Sequence, residues 1–118
     1  MIIKNKDRAK EIKSILFEHL KEENAFWSYA PESVSLDNIR DDQLIALTMR
    51  YLDLDDIKQL FSIFSFNKIK KAWKMLLVPE GEYLYTLNRF FAWYYFKAKR
   101  PDAYLKSLQT RQLNELLS

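Results

Sequence analysis

The sequence predicts an all-α fold, a compact bundle of five or six helices around an aromatic helix at about residues 83–98, in one domain spanning residues 1–118. Three observations carry that expectation. From Tyr83 to Ala98 the chain reads YLYTLNRFFAWYYFKA, and its apolar residues at 83, 84, 87, 90, 91, 94 and 95 recur at helical spacing. No stretch alternates apolar and polar residues between turn glycines, and the chain holds a single glycine. Aromatic residues make up 15% of the chain, a load that needs a packed interior. Trp93 and Phe96 lie off the main stripe of the aromatic helix. A helix apolar on most sides needs cover on several sides, so Trp93 is expected in the core.

The first helix is expected over Asn5 to Glu23. Ala9, Ile12, Ile15, Leu16 and Leu20 form its stripe, Asn5 caps it and Asn24 stops it. The segment AFWSYAPESVS, Ala25 to Ser35, holds Pro31 and several serines and reads as irregular. A second helix starts with Asp41 as its cap and runs to about Leu52, with Leu44, Ile45, Leu47, Thr48, Tyr51 and Leu52 on its buried face. Asp53 caps a third, with Asp55 and Asp56 in the first turn, where the helix dipole favours acids. Ile57, Leu60, Phe61 and Phe64 are its stripe.

After a break at Ser65 to Asn67, with Ser65 or Asn67 capping, a fourth helix covers Lys68 to Val78. Ile69, Ala72, Trp73, Leu76 and Leu77 face inward, Pro79 ends the helix, and Glu80 and Gly81 make the turn. The aromatic helix follows and closes on cations at Lys97 to Arg100. Pro101 suits the first turn of a sixth helix, whose apolar side is Tyr104, Leu105, Leu108, Leu113, Leu116 and Leu117.

Composition excludes several kinds of chemistry. Without cysteine there is no disulfide, thiolate metal site or cysteine nucleophile. One glycine excludes the phosphate-cradling loops of the P-loop and dinucleotide-binding types. The one histidine, His19, sits at the edge of a helical stripe and reads as structural. Asp53, Asp55 and Asp56, and likewise Asp41 with Asp42, stand where helices begin and read as caps rather than magnesium ligands. No cofactor and no metal is expected. The N-terminus carries charges directly after Met1, Ile2 and Ile3, and no run approaches the roughly 20 apolar residues of a membrane span, so a cytoplasmic protein with no membrane association is expected.

The net charge is +3, unevenly distributed. Between Asn24 and Asp56 stand Glu32, Asp37, Asp41, Asp42, Asp53, Asp55 and Asp56 against Arg40 and Arg50. Between Ile57 and Pro79 stand Lys58, Lys68, Lys70, Lys71 and Lys74 with no acid. Opposed segments of this kind also suit a head-to-tail homodimer.

Phe26-Trp27-Ser28-Tyr29 after the first helix, Leu54-Asp55-Asp56-Ile57 opening the third, and Ile69 with Trp73 on the fourth form a distinctive set. Leu87-Asn88 with Ala92, and Lys99-Arg100-Pro101-Asp102 with Tyr104, complete it. On these motifs the chain resembles a family of small, uncharacterised bacterial helical proteins found beside nucleotidyltransferase-type toxins. The resemblance covers most of the chain, carries no catalytic residue, and implies an antitoxin-like or regulatory partner protein.

Two candidate sites follow. Phe26, Trp27 and Tyr29 are too apolar for an idle loop. They either plug the core, the favoured reading, or anchor a protein interface. Lys68, Lys70, Lys71 and Lys74 project from the fourth helix toward either phosphates or an acidic partner. Residues 53–78 match a helix-turn-helix in length, yet Ile63 and Ser65 stand where a glycine would let the two helices meet closely, and the outer face between Lys68 and Lys74 lacks Arg, Asn or Gln to read bases. The function expected is therefore a non-enzymatic protein-binding or regulatory module, with nucleic-acid binding through the lysine helix as the alternative.

Overall fold

A computed structural model describes residues 6–27 and 34–117. They form α1 (Lys6–Glu22), α2 (Asp41–Tyr51), α3 (Leu54–Ile63), α4 (Phe66–Leu76), α5 (Tyr85–Tyr94) and α6 (Pro101–Leu117). A 3-10 segment, Val78–Leu84, joins α4 to α5. No strand occurs among the described residues, so the chain is all-α as its periodicity predicts. None of these helices is long and apolar enough to cross a membrane. The chain divides into two units, residues 1–69 and 70–118, and the division falls inside α4.

In the first unit α1, α2 and α3 pack pairwise. α1 buries Ile12, Leu16, Phe17 and Leu20, a stripe set by 3.6-residue periodicity. Phe17 takes the place expected of Ile15, which is exposed. α2 buries Leu44, Ile45, Thr48 and Met49, and α3 buries Ile57 and Leu60. Each fully buried Leu or Ile contributes about 1.5–3 kcal/mol over exposure. Asp53 caps α3 as expected, its carboxylate accepting from the Asp56 N–H at 3.1 Å. Ser65 does the same for α4, its hydroxyl accepting from the Lys68 N–H at 3.1 Å. α2 begins one residue earlier than expected. Arg40 is its cap, and its N–H donates to the Gln43 side chain at 3.2 Å, so Asp41 is the first helical residue. The cap assigned to Asn5 lies outside the described residues.

α1 stops where Asn24 turns left-handed at φ 57°. The Ala25 N–H returns to the Leu20 carbonyl at 2.9 Å and the Asn24 N–H to the Lys21 carbonyl at 3.0 Å. This paired closure satisfies carbonyls that the helix end would orphan, and asparagine is among the few residues that tolerate the conformation.

The second unit is built on Trp73, which is fully buried. Its ring packs against Phe96 at 4.6 Å between centroids and stacks on Tyr104 at 6.4 Å. Its indole N–H donates to Asn88 Oδ1 at 3.0 Å, and Asn88 Nδ2 donates to the Leu77 carbonyl at 2.9 Å. Asn88 is itself buried, and this pairing explains how α5 carries an amide into an apolar interior. The 3-10 segment bends at Gly81, with φ 60° and ψ −129°. A Cβ there would meet no neighbouring atom, so glycine serves the backbone angle rather than space. α5, α6 and the 3-10 segment pack on one another, with Phe91, Ala92, Leu105 and Leu108 buried.

The aromatic helix is shorter than 83–98: Tyr83 and Leu84 belong to the 3-10 segment, and Tyr95 and Phe96 form a turn. Trp93 is 58% exposed and not in the core. Asn88, Phe91 and Ala92 span about 100° of the helix, and Trp93 lies about 100° further round. Trp73 and Phe96 fill the interior instead. Leu113, Leu116 and Leu117, expected on the inner side of α6, are also exposed.

Candidate functional site

The turn after α1 presents the first candidate. Ala25 is buried and pins the turn, and Phe26 lays its ring on Phe17 of α1 at 5.1 Å between centroids. Lys21 Nζ lies 5.8 Å from the Phe17 ring centroid. The Trp27 N–H closes the turn on the Asn24 carbonyl at 3.3 Å. Trp27 itself is 70% exposed. The core-plug reading therefore fails for Trp27 and holds in part for Phe26, which is half-buried. The two adjacent residues differ in cover: Phe26 has the Phe17 ring beside it, whereas Trp27 stays open to solvent. Tyr29 lies outside the described residues.

The four lysines of α4 do not act alike. Lys68 donates to Asp41 Oδ2 at 2.7 Å, where Lys13 reaches Oδ1 at 3.5 Å, and its Nζ sits 5.3 Å from the Phe64 ring centroid. Partial burial alone would raise the Asp41 carboxyl. The Lys68 hydrogen bond and the Lys13 and Lys68 charges outweigh that, and the carboxyl lies below its ordinary range. In the second unit Lys70 is half-buried, 5.9 Å from both the Phe96 and Tyr104 ring centroids. Lys74 is half-buried, and its backbone carbonyl accepts from the Gln112 side chain at 2.8 Å. Lys71 is exposed, and among the described residues its side chain meets no acid or ring. A row of four phosphate-ready ammonium groups is thus not what the side chains form, because two of them are already seated on acids or rings.

His19 donates from Nδ1 to Asp56 Oδ1 at 2.8 Å, tying α1 to α3. The pair lines a concavity of about 430 Å³ with Glu22, Glu23, Tyr51, Leu52 and Asp53. No serine, threonine or cysteine lines it. Among the described residues no group of three or more His, Asp or Glu is arranged to hold a metal. Asp42 accepts from the Gln43 N–H at 2.9 Å and from Arg40 Nε at 3.1 Å, so the acids at the helix starts serve the local backbone and neighbouring cations.

A third surface went unassigned from sequence. Trp93 and Tyr94 stand exposed at the end of α5 beside Lys97 and Lys99 around a concavity of about 500 Å³. The signal was available: Trp93 falls off the stripe that defines the buried face. The chain matches no family model, no curated protein and no solved structure, so the resemblance drawn from its motifs rests on those motifs alone.

Proposed function

We propose that this chain is a non-enzymatic protein-binding module, antitoxin-like or regulatory, whose first unit engages its partner through Trp27. The observation that supports this reading is the 70% exposure of Trp27 on a turn that its neighbours hold in place. An exposed tryptophan on a preorganised base is the residue type that most often anchors an interface. Covering it removes on the order of 150 Å² from water, worth about 3–4 kcal/mol at 25 cal/mol per Å². That magnitude changes affinity by more than a hundredfold at about 1.4 kcal/mol per tenfold. Little ordering cost offsets it, because Ala25, Phe26 and the Asn24 closure already fix the turn.

Nucleic-acid binding through Lys68, Lys70, Lys71 and Lys74 draws less support, since Lys68 and Lys70 are engaged within the fold. The partner follows from the family resemblance: the product of the adjacent gene, a nucleotidyltransferase-type protein. Co-expression of that product with the tagged chain tests the proposal. The wild type retains it in stoichiometric amount, and Trp27→Ala loses it while keeping its melting temperature. Equal retention by Trp27→Ala removes Trp27 from the interface, and no retention by the wild type rejects this partner.

A further inference from the structure

The end of α5 carries a second surface with a different chemistry. Trp93 and Tyr94 are 58% and 45% exposed, large fractions for adjacent aromatics. They are rigidly supported. Phe90 stacks on Tyr94 at 5.2 Å with 13° between ring planes, and the Trp93 centroid lies 6.3 Å from Phe90 and 6.0 Å from Tyr94. Beyond them the chain turns at Lys97, whose φ of 58° is left-handed, an uncommon angle for lysine. That turn sets Lys97 Nζ 6.0 Å from the Tyr94 centroid, and Lys99 follows on the wall of the same concavity.

Two features decide what this surface accepts. No acidic residue lines the concavity, and none occurs in the sequence from Tyr83 to Pro101. The next acid, Asp102, is already held by the Tyr85 hydroxyl and by Arg89 Nε at 3.0 Å. Nor are the lysines consumed as caps for the helix end. The Phe91 carbonyl accepts from the Tyr95 and Phe96 N–H groups, and the Ala92 carbonyl accepts from the Ala98 N–H at 2.9 Å. The ammonium groups are thus not needed to close the helix end. Exposed ring faces beside lysines that no acid of the concavity neutralises are the pairing that takes stacked bases and their phosphates.

We propose that the end of α5 binds single-stranded nucleic acid, with a base stacked on Trp93 and adjoining phosphates held by Lys97 and Lys99. None of these residues is Trp27 or a lysine of α4. The test is fluorescence anisotropy of a labelled dT12 oligonucleotide with the full chain. Binding is expected at low salt, with a log-affinity slope against log salt of about −1.4 for two phosphate contacts on a single strand. Trp93→Ala weakens it about tenfold or more, the scale of one lost stacked base. Trp93→Leu, which keeps bulk without a ring face, does the same, and both retain the wild-type melting curve. Lys97→Asn, suited to the left-handed angle, combined with Lys99→Gln flattens the salt slope. Trp27→Ala and Lys71→Gln change nothing. The proposal is overturned by no dT12 binding at low salt, by binding indifferent to Trp93, or by equal affinity for a duplex of the same length. It is overturned too if anionic phosphatidylserine vesicles or polyglutamate are bound through Trp93 while dT12 is not.

Discussion

Replacing Asn88 with leucine removes a buried amide that two partners depend on. The Trp73 indole N–H loses its acceptor at 3.0 Å and the Leu77 carbonyl loses its donor at 2.9 Å, both in the buried interior of the second unit. An orphaned buried polar group costs about 1–3 kcal/mol, so two cost about 2–6 kcal/mol. The apolar leucine side chain recovers part of that by burial, which leaves an expected loss of about 2–4 kcal/mol. Against a total stability of about 5–15 kcal/mol for a small domain, that is a large fraction. Urea denaturation followed by circular dichroism measures it, with the slope m checked for constancy. A double-mutant cycle isolates the cause. With Trp73→Phe in the background no indole N–H remains to be orphaned, so Asn88→Leu costs about 1–2 kcal/mol less. A loss below about 0.5 kcal/mol, or one identical in the two backgrounds, refutes the bonding scheme around Trp73.

Other perturbations have smaller, distinct signatures. Thr48 is fully buried and its hydroxyl has no hydrogen-bond partner, so Thr48→Val raises stability by about 1 kcal/mol, read as a higher urea midpoint at constant m; a lower midpoint contradicts the burial assigned to α2. Trp93→Ala leaves the thermal midpoint near wild type, within about 0.5 kcal/mol, whereas Trp73→Ala costs about 3–5 kcal/mol; the reverse order would restore the sequence-based placement of Trp93. Asp41, held below the ordinary carboxylate range, stabilises the fold above that range and stops doing so as the pH falls through its folded value. Asp41→Asn therefore costs little at neutral pH, under about 1 kcal/mol for a part-exposed pair, and flattens the acid limb of the stability curve; an unchanged acid limb contradicts the Lys68 and Lys13 pairing.

What the sequence made legible is what local chemistry decides. Asp53 and Pro101 are read correctly because capping and the fixed proline φ act within one turn, and of the two caps left open for α4 the structure takes Ser65, with the helix starting at Phe66 rather than Lys68. The stripes of α1 to α4 are read nearly as well, since periodicity alone sets which face is apolar. Trp27 was not legible, because hydrophobic character states what a side chain prefers and not whether a partner element is present to cover it; for Trp93 the off-stripe position was a signal, overridden by the expectation that an aromatic helix is covered on several sides. Trp73, not Trp93, occupies the interior of the second unit, where it bonds Asn88, a pairing across 15 residues that no periodicity reveals. The lysines of α4 illustrate the same limit: Lys68 pairs with Asp41 across 27 residues, and sequence shows only a run of unopposed charge.

Acrylamide quenching of tryptophan fluorescence in the Trp93→Phe variant tests the role of Trp27 most directly. With Trp73 fully buried, the quenchable emission of the free protein comes from Trp27. In complex with the proposed partner, prepared without tryptophan, that emission becomes inaccessible to quencher. A complex that forms while Trp27 stays as quenchable as in the free protein contradicts the account.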